Sequence, residues 1–229
     1  IDDFRPTNPP SNPELLDALT REFTASGFDL RHLIRLIMKS RVYQLSSEPN
    51  ETNGSDDVNY SHVLPRRLTA EQLLDAQHGA LAVPVKFNGY PIGMRAGQLP
   101  GVEAVRLREK KRSSSDTFLT LFGKPMRLLS CECERSSETT MSQAFNLVSG
   151  PEINELLAAA DNRIQKMITD GKSDAEILTE LYWAALSRAP SATESFEMSA
   201  RVEKAESRRK AFEDISWALL NAKEFVFRP

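Results

Sequence analysis

The amino-acid sequence predicts an all-α fold, an irregular multi-helix domain of about eight or nine helices. Apolar residues recur at i, i+3, i+4 and i+7 in most segments, and almost no segment alternates as a strand would. Capping boxes of the form Ser/Thr-x-x-Glu/Gln predict where several of these helices begin. The boxes pair Thr69 with Gln72, Thr140 with Gln143, Ser173 with Glu176 and Ser191 with Glu194.

The composition is typical of a soluble globular protein. The chain has 229 residues, of which 40% are hydrophobic and 27% are charged. Its net charge of −3 predicts no general attraction to nucleic acid. No apolar run approaches the ~20 residues of a transmembrane helix. Because the chain starts Ile1-Asp2-Asp3 without Met, we expect it to be a processed or trimmed piece of a longer protein.

We predict a single helical domain over residues 1–229, with a first helix group at 13–82. Asn12 can cap the first helix, Pro13 suits its first position, and Gly27 suits its end. A second helix follows, and the third is expected to start at the first capping box and to end near Ala82.

The second helix combines an apolar face with a basic row. Asp29 can cap it. A basic row on a helix could bind an anion, but it more often forms a solvated face, which we favour here. The apolar face is Leu30, Leu33, Ile34 and Ile37, and the row is Arg31, Arg35 and Lys39.

Two segments lack helical periodicity. Residues 46–62 are polar and predict a surface loop. Residues 83–112 are interrupted by Gly and Pro and predict a long irregular excursion, which in compact domains is either functional or mobile. The basic run at 106–112 has few interleaved aromatics, so we favour a solvated edge over a nucleic-acid contact.

A second helix group is predicted at 140–224. It follows a short helix from Thr117 to Phe122, which Ser115-Asp116 can start and Gly123 can end. Phe225 and Phe227 alternate as an extended tail would. The expected helices span about 140–149, about 151–164 with Ile153, Leu156, Leu157, Ala160 and Ile164 on one face, and then about 174–188, 192–209 and 211–223.

Residues 124–139 connect the two helix groups and hold both cysteines, Cys131 and Cys133. In an extended segment both thiols point to one side. We favour two packed apolar side chains. Two alternatives remain: half of a zinc site, which needs two further ligands, or a strained and labile Cys-x-Cys disulfide or a reactive thiol. His32, His62 and His78 are distant in sequence and give no metal motif.

Acidic and arginine side chains around this connector form the candidate polar cluster. Carboxylate and guanidinium groups form bidentate pairs that could lock the connector between the helix groups. A catalytic carboxylate pair is the alternative, but it requires a cleft and separated pKa values. The cluster consists of Arg66, Arg67, Glu132, Glu134, Arg135 and Glu138.

Blocks of sequence along almost the whole chain resemble a planctomycete-type family of unknown function, the domain of unknown function 1553 family. The early blocks are Asp3-Phe4-Arg5, Thr7 to Asp17, Leu36-Ile37 with Tyr43-Gln44, and Pro65-Arg66-Arg67-Leu68-x-Ala70-Glu71. The later blocks are Phe122-Gly123-x-Pro125, Cys131-x-Cys133-Glu134-Arg135, Leu186-Ser187-Arg188-x-Pro190-x-x-x-Glu194 and Asp214-Ile215-x-Trp217 through Glu224-Phe225.

The resemblance implies a C-terminal domain of exported bacterial proteins that often also carry a cytochrome-c-like domain. It implies an extracytoplasmic location but no activity and no catalytic residues. No Cys-x-x-Cys-His is present, so we expect no haem attachment through that motif and no cofactor.

We therefore expect a helical interaction or assembly module of an exported multi-domain protein, with unknown molecular function. Its expected partners are other domains of the same polypeptide or another protein. The alternatives are an enzyme domain that acts on polysaccharide through the polar cluster, and a redox or metal site at Cys131 and Cys133.

Overall fold

The structure is a computed structural model that describes residues 7, 9–10, 12–56, 60–99, 112–126, 135 and 138–228. The backbone forms two compact units, Ile1–Arg66 and Arg67–Arg228. Whether these belong to one domain, as we predict, is not tested. No helix in the described ranges is long and apolar enough to cross a membrane.

The first unit contains a helical hairpin, α1 (Pro13–Ala25) and α2 (Leu30–Lys39). The predicted caps are confirmed, because the side chain of Asn12 accepts from Leu15 N and that of Asp29 accepts from Arg31 N. Gly27 takes the positive φ, 70°, that ends α1. Neither helix contains a buried residue.

The regular secondary structure described for the second unit is helical apart from one short strand pair, which confirms the all-α fold. Its helices are α3 (Ala70–Leu81), α4 (Ser114–Leu121), α5 (Met141–Ser149), α6 (Pro151–Ala158), α7 (Arg163–Thr169), α8 (Asp174–Leu186), α9 (Ala192–Lys204), α10 (Arg208–Asn221) and α11 (Lys223–Val226), with a 3₁₀ turn at Ala96–Gln98. Two short strands, β1 (Arg66–Arg67) and β2 (Phe227–Arg228), pair as a two-stranded sheet.

The core of the second unit surrounds α3, which packs against α4, α6, α7 and α8. Leu73, Leu74 and Leu81 on α3 are at most 1% exposed. The capping box of Thr69 and Gln72 starts this helix as predicted. The sequence predicts α3 as part of the first helix group, 13–82, whereas the structure includes it in the unit Arg67–Arg228.

The described part of the irregular excursion, 83–99, packs on α3. Val85, Phe87 and Ala96 are buried, and the carboxylate of Asp75 accepts from the backbone N–H of Ala96 at 2.8 Å. This segment is therefore held by its apolar side chains and by one acid of α3, without regular secondary structure beyond the 3₁₀ turn.

One predicted helix is wrong, because residues 151–164 form two helices. Asn162 is fully buried, and its amide donates to the carbonyls of Leu156 and Leu157 while its oxygen accepts from Gln165 N. A single side chain thus ends α6 and starts α7. The apolar spacing continues through the break, which is why the sequence pattern missed it.

Other helix ends also shift from the predicted positions. The capping box of Ser113 and Asp116 starts α4 at Ser114, three residues before the predicted Thr117. The helix predicted to extend to 209 ends at Lys204, and Ser207 caps α10. Phe225 lies in the short helix α11 rather than in an extended tail, and only Phe227 is in a strand.

Candidate functional site

The structure pairs one arginine of the predicted polar cluster with an acid outside the cluster. Arg135 donates to both carboxylate oxygens of Glu71, at 2.8 and 3.2 Å. Burial alone would raise the pKa of Glu71, but the hydrogen bonds from Arg135 and from its own backbone, together with the charges of Arg135 and Lys124, hold that pKa below its usual value. Glu71 lies in the first turn of α3, where a carboxylate also favours the helix dipole.

Arg67 occupies a separate position next to α5. Its guanidinium donates to the side-chain oxygen of Gln143 and lies 5.7 Å from the ring centroid of Phe122. Gln143 in turn donates to the carbonyl of Leu121 at 2.9 Å, so this amide connects three segments. Burial lowers the pKa of Arg67. The cationic side chain is thus held by an amide and a ring.

The other predicted site residues divide into two groups. Arg66 and Glu138 are exposed, and neither forms an ion pair within the described ranges. Cys131, Glu132, Cys133 and Glu134 lie outside the described residues. The catalytic, redox and zinc hypotheses for them therefore remain untested. Among the residues that are described, no group of three His, Cys, Asp or Glu side chains is placed to hold a metal ion.

Sequence reasoning missed a buried polar network that joins α3, α4 and α6. His78 Nε2 lies 2.6 Å from Glu152 Oε1, and the hydroxyl of Ser115 donates to the same oxygen at 3.1 Å. The three residues are 7%, 3% and 3% exposed. Substrate could reach them only if the core opened. The signal in the sequence was weak, since the imidazole and its carboxyl partner are 74 residues apart.

The hydrogen bonds determine how protons are shared in this network. His78 Nδ1 lies 2.8 Å from the carbonyl oxygen of Val83, which can only accept, so Nδ1 carries a proton. The short contact between Nε2 and Glu152 then holds one further proton. Glu152 Oε2 is buried and has no hydrogen-bond partner among the described groups. The network is thus a buried imidazole–carboxyl pair that, with Ser115, connects three helices.

A second ion-pair node lies at the C-terminal end of the chain. Arg188 donates to both oxygens of Glu194, at 2.8 and 2.9 Å, and to both oxygens of Glu224, at 2.7 and 2.9 Å. Hydrogen bonds from Arg188 and from the backbone of Ser191 lower the pKa of Glu194 to about 2. The same two acids raise the pKa of Arg188. This node ties the end of α8 to α9 and α11.

Two further arginines bind the C-terminal carbonyls of helices. Arg163 donates to the carbonyls of Ala80 and Gly79 at the end of α3. Arg209 donates to the carbonyls of Ala158 and Ala159 at the end of α6. Cations at these positions donate to helix-end carbonyls that have no intrahelical partner, and their charge interacts favourably with the negative end of the helix dipole. Like the other described arginine contacts, they stabilise the packing of helices.

The first unit exposes an apolar surface on α2, which we call the hairpin face. It consists of side chains that lie on one side of the helix at about 100° per residue. The hairpin face is Leu30, Ile34, Ile37 and Met38, which are 60%, 48%, 37% and 50% exposed.

The hairpin face is open because α1 covers a different side of α2. The half-buried residues of α2 are His32 and Leu33, and His32 lies 3.8 Å from Glu22 of α1. On α1, the half-buried Leu16, Leu19 and Phe23 form the seam between the helices. The packing of the hairpin therefore uses only part of the apolar side of α2.

These features define the class of the protein: an all-α domain whose helices are tied by arginine pairs, together with a hairpin that exposes apolar side chains. The chain belongs to the PSD1 family of proteins of unknown function (DUF1553), whose sequence model matches residues 1–202. Neither the curated proteins nor the solved structures contain a match to the chain.

Five described residues of the motif blocks that carry the family resemblance form ion pairs that join separate segments of the chain. Glu71 and Arg135 come from two different blocks and form one bidentate pair. Arg188, Glu194 and Glu224 likewise come from two blocks and form the C-terminal node. The described members of these blocks thus build the architecture, and the resemblance by itself gives no catalytic group.

Proposed function

We propose that this protein is a helical interaction or assembly module that binds a partner protein through the hairpin face. One observation carries the proposal: neither helix of the hairpin contains a buried residue, although α2 has a continuous apolar side. Grouped apolar side chains at a surface mark interaction sites far more often than scattered ones do. An amphipathic helix that binds a partner helix or groove uses anchors at this spacing.

The charges around the hairpin face specify the chemistry of the partner. Arg31, Arg35 and Lys39 border the face and form no ion pair with another described residue. A partner that buries the face therefore needs an apolar stripe with carboxylates along its edge. An anionic membrane fits less well, because the hairpin from 13 to 39 carries four acidic and four basic side chains and so has no net positive charge.

The enzyme alternative has less support. Arg135 and Glu71 satisfy each other bidentately, and Arg67 is bound by Gln143 and Phe122. Groups paired in this way are engaged in packing and are not available to a substrate. A hydrolytic assay of the purified chain on polysaccharides tests this alternative, and turnover that is lost in Glu71→Gln would favour it over the interaction module.

The cellular setting is part of the same proposal. The motif blocks support an extracytoplasmic bacterial protein in which this chain accompanies other domains, including cytochrome-c-like ones. No cofactor is assigned to the chain itself. Fractionation of cells that express the parent protein tests the location, and recovery in the cytoplasmic fraction would contradict it.

The interaction is tested by site-specific photo-crosslinking in the native cells. A benzoylphenylalanine at position 34 lies in the hairpin face, and one at position 196 replaces a 77% exposed residue of the second unit and is the control. We expect a crosslink from position 34 and not from position 196, mapped by mass spectrometry to an apolar surface with acidic neighbours. Equal labelling, or none at position 34, would overturn the proposal.

A further inference from the structure

We propose that the partner which covers the hairpin face is a second copy of this chain, so that two hairpins form a symmetric four-helix bundle. This inference rests on the proposed function and names its partner. In such an arrangement α2 of each copy packs against α1 of the other, and the same contact occurs twice.

The charge distribution makes the hairpin complementary to itself. α1 carries Glu14, Asp17 and Glu22 against one cation, Arg21, whereas α2 carries Arg31, Arg35 and Lys39 and no acid. A two-fold interface requires that one surface patch matches another on the same molecule. Here the basic edge of α2 meets the acidic edge of α1 from the second copy, and the reciprocal contact is equally favourable.

The positions of the apolar side chains match this geometry. On α1, Leu15 is 52% exposed, and Glu22 lies seven residues later, which is almost two full turns and hence the same side. On α2, Leu30 and Ile34 each precede a basic residue, Arg31 and Arg35. Each helix therefore presents an apolar anchor with a charged neighbour, and the two signs are opposite.

The direction of the open surface also suits a bundle. At about 100° per residue, the centre of the hairpin face lies on the order of 100° around α2 from the side that packs on α1. A helix in a four-helix bundle contacts its two neighbours at roughly a right angle. Within the described part of the chain, the hairpin has one of these two contacts and lacks the other.

The available area is appropriate for a reversible dimer. Leu15, Phe28 and the hairpin face are six large apolar side chains, each exposed by between 37% and 67%. Together they offer on the order of 600 Å² per copy, which with a polar rim approaches the ~800 Å² per partner of a standard interface. We therefore expect an association in the micromolar range rather than an obligate dimer.

The first experiment measures self-association of the full chain by sedimentation equilibrium over about 1–200 μM. We expect a monomer–dimer equilibrium that is at least tenfold weaker in Ile34→Asp/Ile37→Asp. The matched control is Phe196→Asp, which places an acid at a 77% exposed aromatic of the second unit and should leave the equilibrium unchanged. Circular dichroism verifies that each variant retains its helix content.

The second experiment swaps charges between copies. Glu14→Lys/Glu22→Lys makes both helices of the hairpin basic, and Arg31→Glu/Arg35→Glu makes both acidic. Each variant alone should be monomeric, and an equimolar mixture should form heterodimers. A mixture in which the acidic variant also carries Ile34→Asp/Ile37→Asp should not form heterodimers. This result would distinguish the specific apolar contact from a general attraction between opposite charges.

The outcomes discriminate the two proposals. A chain that stays monomeric at 200 μM, or a dimer that is insensitive to the hairpin variants, overturns the second-copy inference. If position 34 then still crosslinks to another protein in cells, the interaction module stands with a different partner. If position 34 crosslinks only to a second copy and the charge swap restores dimers, both are supported.

Discussion

The helices α2 and α3 show how differently two amphipathic helices can be used. α2 has the cleaner pattern, with an apolar stripe and a basic row, yet none of its ten residues is buried. α3 mixes polar residues into its apolar side, yet eight of its twelve residues are buried, including Glu71, Gln77 and His78. A clear pattern shows which side of a helix is apolar, but it does not show whether the same chain covers that side.

The largest expected effect lies in the core of the second unit. Phe212 on α10 is fully buried, so Phe212→Ala should lower the free energy of unfolding by about 3–5 kcal/mol. Phe196→Ala is the matched control, because Phe196 is 77% exposed and its loss should change that free energy by less than about 0.5 kcal/mol. Urea denaturation measures both. Similar losses would contradict the assigned burial.

The next largest effect concerns the buried pair of His78 and Glu152. His78→Leu leaves the carboxylate of Glu152 in the core with only Ser115 as a described partner, so the free energy of unfolding should fall by about 3 kcal/mol. Glu152→Gln should cost less than about 1 kcal/mol, because an amide nitrogen in place of Oε1 can donate both to His78 Nε2 and to the hydroxyl oxygen of Ser115. Calorimetry compares the thermal unfolding of the two variants. Equal losses of unfolding free energy would show that His78 and Glu152 are not coupled.

A moderate effect is expected where the connector meets α3. Arg135→Ala removes both hydrogen bonds to Glu71 and should cost about 1–2 kcal/mol in free energy of unfolding. Arg135→Lys should recover less than half of this, because lysine cannot pair bidentately. The measurement is urea denaturation at pH 7. Full recovery with lysine would show that charge alone matters at this position.

A smaller effect should appear on acidification. The folded-state pKa of Glu194 is about 2, below the usual 4.5, so the pair with Arg188 stabilises the fold above about pH 4.5 and is lost as the pH falls through about 2. Glu194 is partly exposed, and solvent screening limits the contribution to about 1 kcal/mol. Glu194→Gln should therefore be less stable than the wild type at pH 6, and the difference should vanish near pH 2.

The smallest effect is expected on α2. Ile34→Ser should change the free energy of unfolding of the second unit by less than about 0.5 kcal/mol at low micromolar protein, since Ile34 is 48% exposed and belongs to the first unit. Hydrogen exchange of the backbone amides in α3 and α10 measures the stability of the second unit separately from that of the hairpin. A large loss of protection in α3 would show that the two regions do not differ as described.

Much of the fold could be predicted because its signals are local. Caps at Asn12, Asp29 and Thr69 are set by a side chain and the backbone three residues away, and all three are confirmed. The break after Ala158 was missed because Asn162 reaches back to carbonyls of the preceding helix, which no short motif encodes.

The candidate site was predictable only in part. An arginine–carboxylate pairing at the connector is present, and it joins Arg135 to Glu71, which is 64 residues away along the chain. Whether Glu132 and Glu134 join such a network, and whether Cys131 and Cys133 are packed, bridged or metal-bound, stays a prediction. Spacing along the chain carries no information about partners that only folding brings together.

The sequence by itself determined the helical class, most helix starts and the family, because capping and periodicity act within a few residues. The tertiary structure alone decided which charged groups meet and which apolar face is covered. It joined His78 to Glu152 and Arg188 to Glu194 and Glu224, and it left the apolar side of α2 exposed. The reason is physical: burial depends on the partner of a face, and that partner is specified by packing across the chain.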